Sequence, residues 1–218
     1  MLRVVFQCYW ERRFAWLFCS LLLTLGVYPL FAALMAGMSV LELLLAVNLL
    51  AAIASVAGER RMRVLLLLGV AFFASRCFQA VLGMNAMLPL SEALWGATCL
   101  LAMVATARYA LRRGDVDGER IFAALDTYLL AGLVFGVCYW VMEQTWPGSF
   151  GMASARELDL ARAVYFSFVT LATLGYGDIV PVSEPARGLA ILEAVGGQLY
   201  LAVLVARLVS LYSKQAYE

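Results

Sequence analysis

Thr173-Leu174-Gly175-Tyr176-Gly177-Asp178 is the stretch on which the reading of this chain turns. It lies between two long apolar stretches and directly follows a short aromatic, β-branched run, Tyr165–Ala172. Its two glycines allow backbone angles that bring successive carbonyls to the same side. In a soluble protein the same residues would be an ordinary glycine-rich turn. Their surroundings therefore decide what they are.

Those surroundings are apolar. Of 218 residues, 64% are hydrophobic and 14% are charged, and the mean hydropathy is +0.87. This excludes an ordinary soluble domain and a disordered chain. A spanning helix needs about 20 mostly apolar residues. Six stretches qualify: Phe14–Leu34, Val40–Val56, Val64–Leu82, Glu92–Leu111, Ile121–Met142 and Arg187–Leu211. Backbone in lipid must satisfy its own hydrogen bonds, so these are expected to be helices. The first could be misread as a signal peptide, but its apolar run is longer than an h-region and no cleavage site follows. The expected fold class is an all-α membrane protein of six transmembrane helices with a short re-entrant helix and loop between the last two.

Charge placement gives the orientation. Arg3, Arg12 and Arg13 precede the first span. Arg60, Arg61 and Arg63 lie between spans two and three, and Arg112, Arg113 and Arg120 between spans four and five. Lys214 follows the sixth, whereas the loops near Gly37 and Asn85 carry no Lys or Arg. The positive-inside rule then makes the protein multi-pass in the cell (plasma or inner) membrane, with both termini cytoplasmic. The stretch Glu143–Glu184 falls outside. Met1–Phe14 has an amphipathic pattern that suits the inner membrane surface, and equally a frayed terminus.

The charged, glycine-containing run Arg112–Arg120 is the natural boundary between two units, 1–112 and 113–218. The first is a bundle of four helices. The second reads as an outer helix, a turn-rich segment Gln144–Gly151, a short helix from about Leu158 to Thr170, the Gly-Tyr-Gly loop, and an inner helix. Glu157 and Asp159 near the start of the short helix suit its dipole. Few residues follow the last span, so no cytoplasmic regulatory domain is expected. With no His, and with Cys8, Cys19, Cys77, Cys99 and Cys138 at no ligand spacing, a metal enzyme has no support. No nucleophile–base pair or phosphate loop is visible. No enzyme activity, no cofactor and no nucleic-acid partner are expected.

The stretch Arg162–Val209 resembles the pore region of bacterial potassium channels of the two-helix-pore type. The likeness rests on Ala-Val-Tyr-Phe-Ser-Phe-Val-Thr-Leu-Ala-Thr before Leu174-Gly-Tyr-Gly-Asp178, Ile-Val-Pro after it, and Arg187-Gly188 opening the inner helix. In that family four such loops offer rings of backbone carbonyls that replace the water around K⁺. The resemblance implies a homotetramer in membrane lipid with a selectivity filter at Thr173, Leu174, Gly175, Tyr176 and Gly177. K⁺ would bind at the carbonyls of Thr173, Leu174, Gly175 and Tyr176, helped by the Thr173 hydroxyl. The Tyr176 ring would pack outward against the pore helix near Tyr165 and Phe166, with Thr170 also supporting the filter. Asp178 would sit at the outer mouth and accept a hydrogen bond from Tyr165.

Leu174 departs from the commoner Val or Ile but leaves its carbonyl unchanged. Val169 is apolar where some relatives carry a carboxylate. In the inner helix Gly197 is a hinge candidate, and packing through small residues is the competing reading. Gln198, Leu201 and Val205 follow helical spacing and could line the cavity or gate. Glu193 is an intramembrane acid, costly unless partnered; bracing the pore helix is its expected role ahead of ion binding.

The N-terminal bundle occupies the position of a voltage sensor but lacks a charged fourth helix. Span four carries only Arg108, near its inner end. Strong voltage gating is therefore not expected. Arg76 in span three and Glu42 in span two suit a buried ion pair, or a sensor or ligand site. Asp126 is expected to pair with Arg120. The expected function is passive, potassium-selective conduction. A less selective monovalent cation channel and a non-conducting regulatory membrane subunit are the alternatives.

Overall fold

A computed structural model of the chain describes residues 12–34, 67, 88–112, 117–152 and 157–215. The second expected span and, apart from Leu67, the third lie outside these residues, Glu42 and Arg76 among them. The described residues are mostly helical. In chain order they form α1 (Arg13–Leu34), α2 (Leu88–Ala110), α3 (Gly118–Thr145), β1 (Phe150–Met152), α4 (Leu160–Leu171), β2 (Ile179–Pro181) and α5 (Glu184–Gln215). Among the described residues, Gly118–Thr145 and Glu184–Val209 are long and apolar enough to cross a membrane. The chain divides into two compact units, Met1–Leu130 and Ala131–Glu218, and the division falls within α3.

In the first unit α1 buries Phe14, Leu17, Leu21 and Thr24, a helical stripe. The Phe14 ring stacks on Tyr109 of α2 at 4.5 Å, and the Phe14 amide donates to Glu119 Oε2 at 2.9 Å. Thr127 Oγ1 lies 3.0 Å from Thr106 Oγ1, tying α3 to α2. The α3 N-terminus is capped by Asp117, whose Oδ1 accepts from the Arg120 amide at 3.0 Å. The expected Asp126–Arg120 pair does not form. Arg120 donates instead to the Arg112 carbonyl at 3.1 Å, and both carboxylate oxygens of Asp126 are buried without a hydrogen-bond partner among the described residues.

In the second unit α4 lies against α3 and α5. Its start is set by Asp159, whose side chain accepts from the Arg162 amide at 2.8 Å. Close approach to α3 comes from Gly132 and Gly136, one turn apart. A Cβ on Gly136 would lie 2.8 Å from Val164 Cα, and one on Gly132 would lie 2.7 Å from the Phe168 ring. Tyr139, Phe150 and Phe166 meet edge to face, with centroids 4.9 to 5.4 Å apart, and form the core with Leu158, Ile179 and Ala186.

The fold is not purely α-helical. β1 and β2 pair antiparallel, with Phe150 opposite Pro181 and Met152 opposite Ile179. The segment expected as loose turns is organised by Glu143, whose carboxylate accepts from the Gly148 amide at 2.8 Å and the Phe150 amide at 3.1 Å. That fold-back sets Phe150–Met152 beside the chain leaving the Gly-Tyr-Gly loop, where the amide of Val182 reaches the carbonyl of Ser149 at 2.8 Å. Strands of three residues, one holding Gly151 and the other Pro181, give almost no alternating signal in sequence.

Candidate functional site

The loop Thr173–Asp178 leaves α4 through a defined cap. Thr173 has φ +56°, its amide donates to the Thr170 carbonyl at 3.0 Å, and the Leu174 amide donates to the Val169 carbonyl at 2.9 Å. These two bonds are the Schellman pair, in which a left-handed residue just past the helix satisfies its last carbonyls. Glycine normally takes that position. A β-branched residue there costs on the order of 1–3 kcal/mol and is characteristic of functional sites.

Beyond the cap the backbone alternates. Thr173, Gly175 and Gly177 have φ of +56°, +60° and +76°, and Leu174 and Tyr176 between them do not have positive φ. Alternation of this kind is what a strand needs if successive peptide planes are to turn the same way. All six residues are exposed in the single chain, the Tyr176 side chain included at 66%. The structure places the Asp178 carboxylate within electrostatic reach of the Tyr165 phenol. Partial desolvation, and after it the nearby carboxylate, hold the Tyr165 phenol above its ordinary range. Phe166 faces the other way, into the core with Tyr139 and Phe150. Thr170 contributes its carbonyl to the cap.

On α5, Gly197 meets the end of α4: a Cβ there would lie 2.6 Å from Leu171 Cδ1 and 3.4 Å from the Leu171 carbonyl. Gln198 and Val205 are exposed and Leu201 is half-buried. Glu193 is fully buried. Its carboxyl meets Tyr139 Oη of α3 at 2.6 Å and Ser167 Oγ of α4. Ser167, Tyr139, Gly132 and Gly136 were not legible as a set from composition and motif. One signal was available: Gly132-Leu-Val-Phe-Gly136 is a small-residue spacing that lets helices approach closely.

Residues 123–214 match the family profile described as Ion channel. Among curated proteins, 96 residues are 31% identical to protein LctB of Bacillus caldotenax, covering 42% of this chain and 71% of that protein. The chain belongs to the ion channel family. Further matches are the inward rectifier potassium channel Kirbac3.1 of Paramagnetospirillum magnetotacticum and the two pore potassium channel c of Oryza sativa subsp. japonica. The first is 37% identical over 89 residues, 38% of this chain and 27% of that protein. The second is 35% identical over 83 residues, 38% of this chain and 18% of that protein. The chain thus spans less than a third of the length of these two relatives. No solved structure matches it. Family membership makes this a membrane transport protein and not an enzyme.

Proposed function

We propose that the chain forms a potassium-selective channel, a homotetramer of six-span subunits with both termini cytoplasmic. Thr173, Leu174, Gly175 and Tyr176 would coordinate K⁺ through their carbonyls, the Thr173 hydroxyl adding the innermost ligand, with Gly177 completing the strand and Asp178 at the mouth. Gly197 would serve as hinge, with Gln198, Leu201 and Val205 lining the cavity. The observation that carries this reading is the alternating backbone of Thr173–Gly177, fixed at its root by the cap on α4. One strand cannot surround an ion, and four are needed to replace a hydration shell. The nearly bare apolar sides of α5, with Leu192 67% and Leu199 61% exposed, fit a helix completed by lipid and by other copies. The C-terminal end of α4, partly negative, would favour a cation at the root of the loop.

The test is flux from purified protein in liposomes under a K⁺ gradient, with Na⁺ substituted in parallel. K⁺-selective flux, blocked by Ba²⁺ and lost in Gly175→Ala, is the expected result. Equal K⁺ and Na⁺ flux would make it a less selective cation channel.

A further inference from the structure

Three oxygen–oxygen contacts run in series through the centre of the second unit. Tyr139 Oη lies 2.6 Å from Glu193 Oε2. Glu193 Oε1 meets Ser167 Oγ. Ser167 Oγ lies 2.6 Å from the Gly132 carbonyl. Each contact needs a proton between its two oxygens. Tyr139 and Ser167 own one hydroxyl proton apiece, and the Gly132 carbonyl owns none. Two protons cannot serve three contacts. With an ionised Glu193, Tyr139 would still donate to Oε2, but Ser167 would face one of its two acceptors with lone pairs alone.

We propose that Glu193 is a neutral carboxylic acid whose own proton, on Oε1, is donated to Ser167, and that this donor role makes it the positioning residue holding α4 on α3 and α5. Tyr139 then donates to Oε2, Glu193 to Ser167, and Ser167 to Gly132, so every proton is used once and every acceptor is met. The surroundings agree with neutrality. Among the described residues no cation pairs with Glu193. The titratable side chains facing it are Tyr139 and Cys138 of α3, α4 presents the non-titrating Ser167, and none of these supplies a positive charge. A buried, unpaired carboxylate would carry a large desolvation penalty.

Infrared difference spectroscopy of the protein in lipid tests this without requiring conduction. At neutral pH the parent minus Glu193→Gln spectrum is expected to show the carbonyl stretch of a protonated carboxyl; carboxylate bands in its place overturn the proposal. Tyr139→Phe provides the same reading should the Gln variant misfold. Removing the bond to Oε2 is expected to move that stretch to higher frequency, and an unmoved spectrum counts against the assignment. A second arm rests on the channel reading. A carboxamide donates to Ser167 and accepts from Tyr139 as the neutral acid does, so Glu193→Gln is expected to keep K⁺ flux within about twofold. Glu193→Leu is expected to lose about tenfold or more, because it leaves Tyr139 and Ser167 unmatched. Loss in Glu193→Gln equal to that in Glu193→Leu overturns the positioning role. A protonated carboxyl in a protein that passes no ions would defeat the channel reading alone.

Discussion

The amide of Leu174 donates to the carbonyl of Val169 at 2.9 Å, five residues back across the end of α4. This bond makes the first step of the Thr173–Asp178 strand a continuation of a helix cap. The direction in which the strand leaves α4 is therefore set by backbone, and the Leu174 side chain has no part in it. The carbonyl that points from Leu174 is likewise independent of what the side chain is.

Leu174→Val is accordingly expected to leave the K⁺/Na⁺ reversal potential unchanged. Gly177→Ala is expected to do the opposite. Nothing lies within 4 Å of a Cβ there, so space is not the obstacle, but φ is +76° and a Cβ in that region costs about 1–2 kcal/mol. A strand that relaxes to negative φ at this position turns one peptide plane around. Bi-ionic reversal potentials for both variants in planar bilayers check the pair. Loss of selectivity in Leu174→Val would mean that side-chain packing, and not backbone direction, sets the carbonyls.

The two helix contacts of α4 differ in what can yield. At Gly136 the obstructing atom is Val164 Cα at 2.8 Å, which is backbone. At Gly197 it is Leu171 Cδ1 at 2.6 Å, the end of a flexible side chain. Overpacking of a close contact costs about 1–3 kcal/mol. Gly136→Ala is expected at the top of that range or beyond, and Gly197→Ala near the bottom. Leu171→Ala added to Gly197→Ala is expected to restore part of the loss, whereas no side-chain change relieves Gly136→Ala. Thermal dissociation of the detergent-solubilised assembly measures the ranking. Equal losses at the two sites would show that α4 slides as a body.

How much of this was readable in advance follows from where the information sits. The helices α3 and α5 and the loop between them announce themselves through long apolar runs and a six-residue motif. Asp159 at the head of α4 also follows from the preference of negative charge for a helix N-terminus. The β1–β2 pair does not, because three-residue strands containing Gly151 and Pro181 look like turns. The placement of Phe166 was also not readable. A side chain one position from Tyr165 on a helix points some 100° away, and in this chain that turn carries Phe166 into the core with Tyr139 while Tyr165 reaches Asp178. Asp126 failed for a related reason. Six residues from Arg120 is neither three nor four, so the two do not share a helix face.

The Tyr165 phenol beside the Asp178 carboxylate gives an alkaline limit. The phenol is held above its ordinary range, about 10, by partial burial and by the carboxylate. For a group raised in the folded state, its contribution is full below the ordinary value and is lost as pH rises through the raised one. Flux is therefore expected to be flat across neutral and mildly alkaline pH and to fall only above the ordinary tyrosine range. Tyr165→Phe removes the titrating phenol and is expected to abolish that step while lowering flux at all pH values. A step that survives in Tyr165→Phe would belong to another group.

Voltage dependence is the property for which α2 can be judged directly. Its helix carries Arg108 in the last turn, and no other basic residue lies between Leu88 and Ala110. One elementary charge crossing the whole field gains about 2.3 kcal/mol per 100 mV, roughly a fiftyfold change in an equilibrium. A charge already at the end of the helix crosses a small part of that field, so the gain shrinks in proportion. Neutralising Arg108 by Gln is expected to alter the conductance–voltage relation by less than about twofold over 100 mV. Single-channel recordings of parent and Arg108→Gln in matched K⁺ measure this. A steep relation abolished by Arg108→Gln would show that α2 moves its C-terminal turn through the field, and the bundle would then be a voltage sensor built on one arginine per subunit.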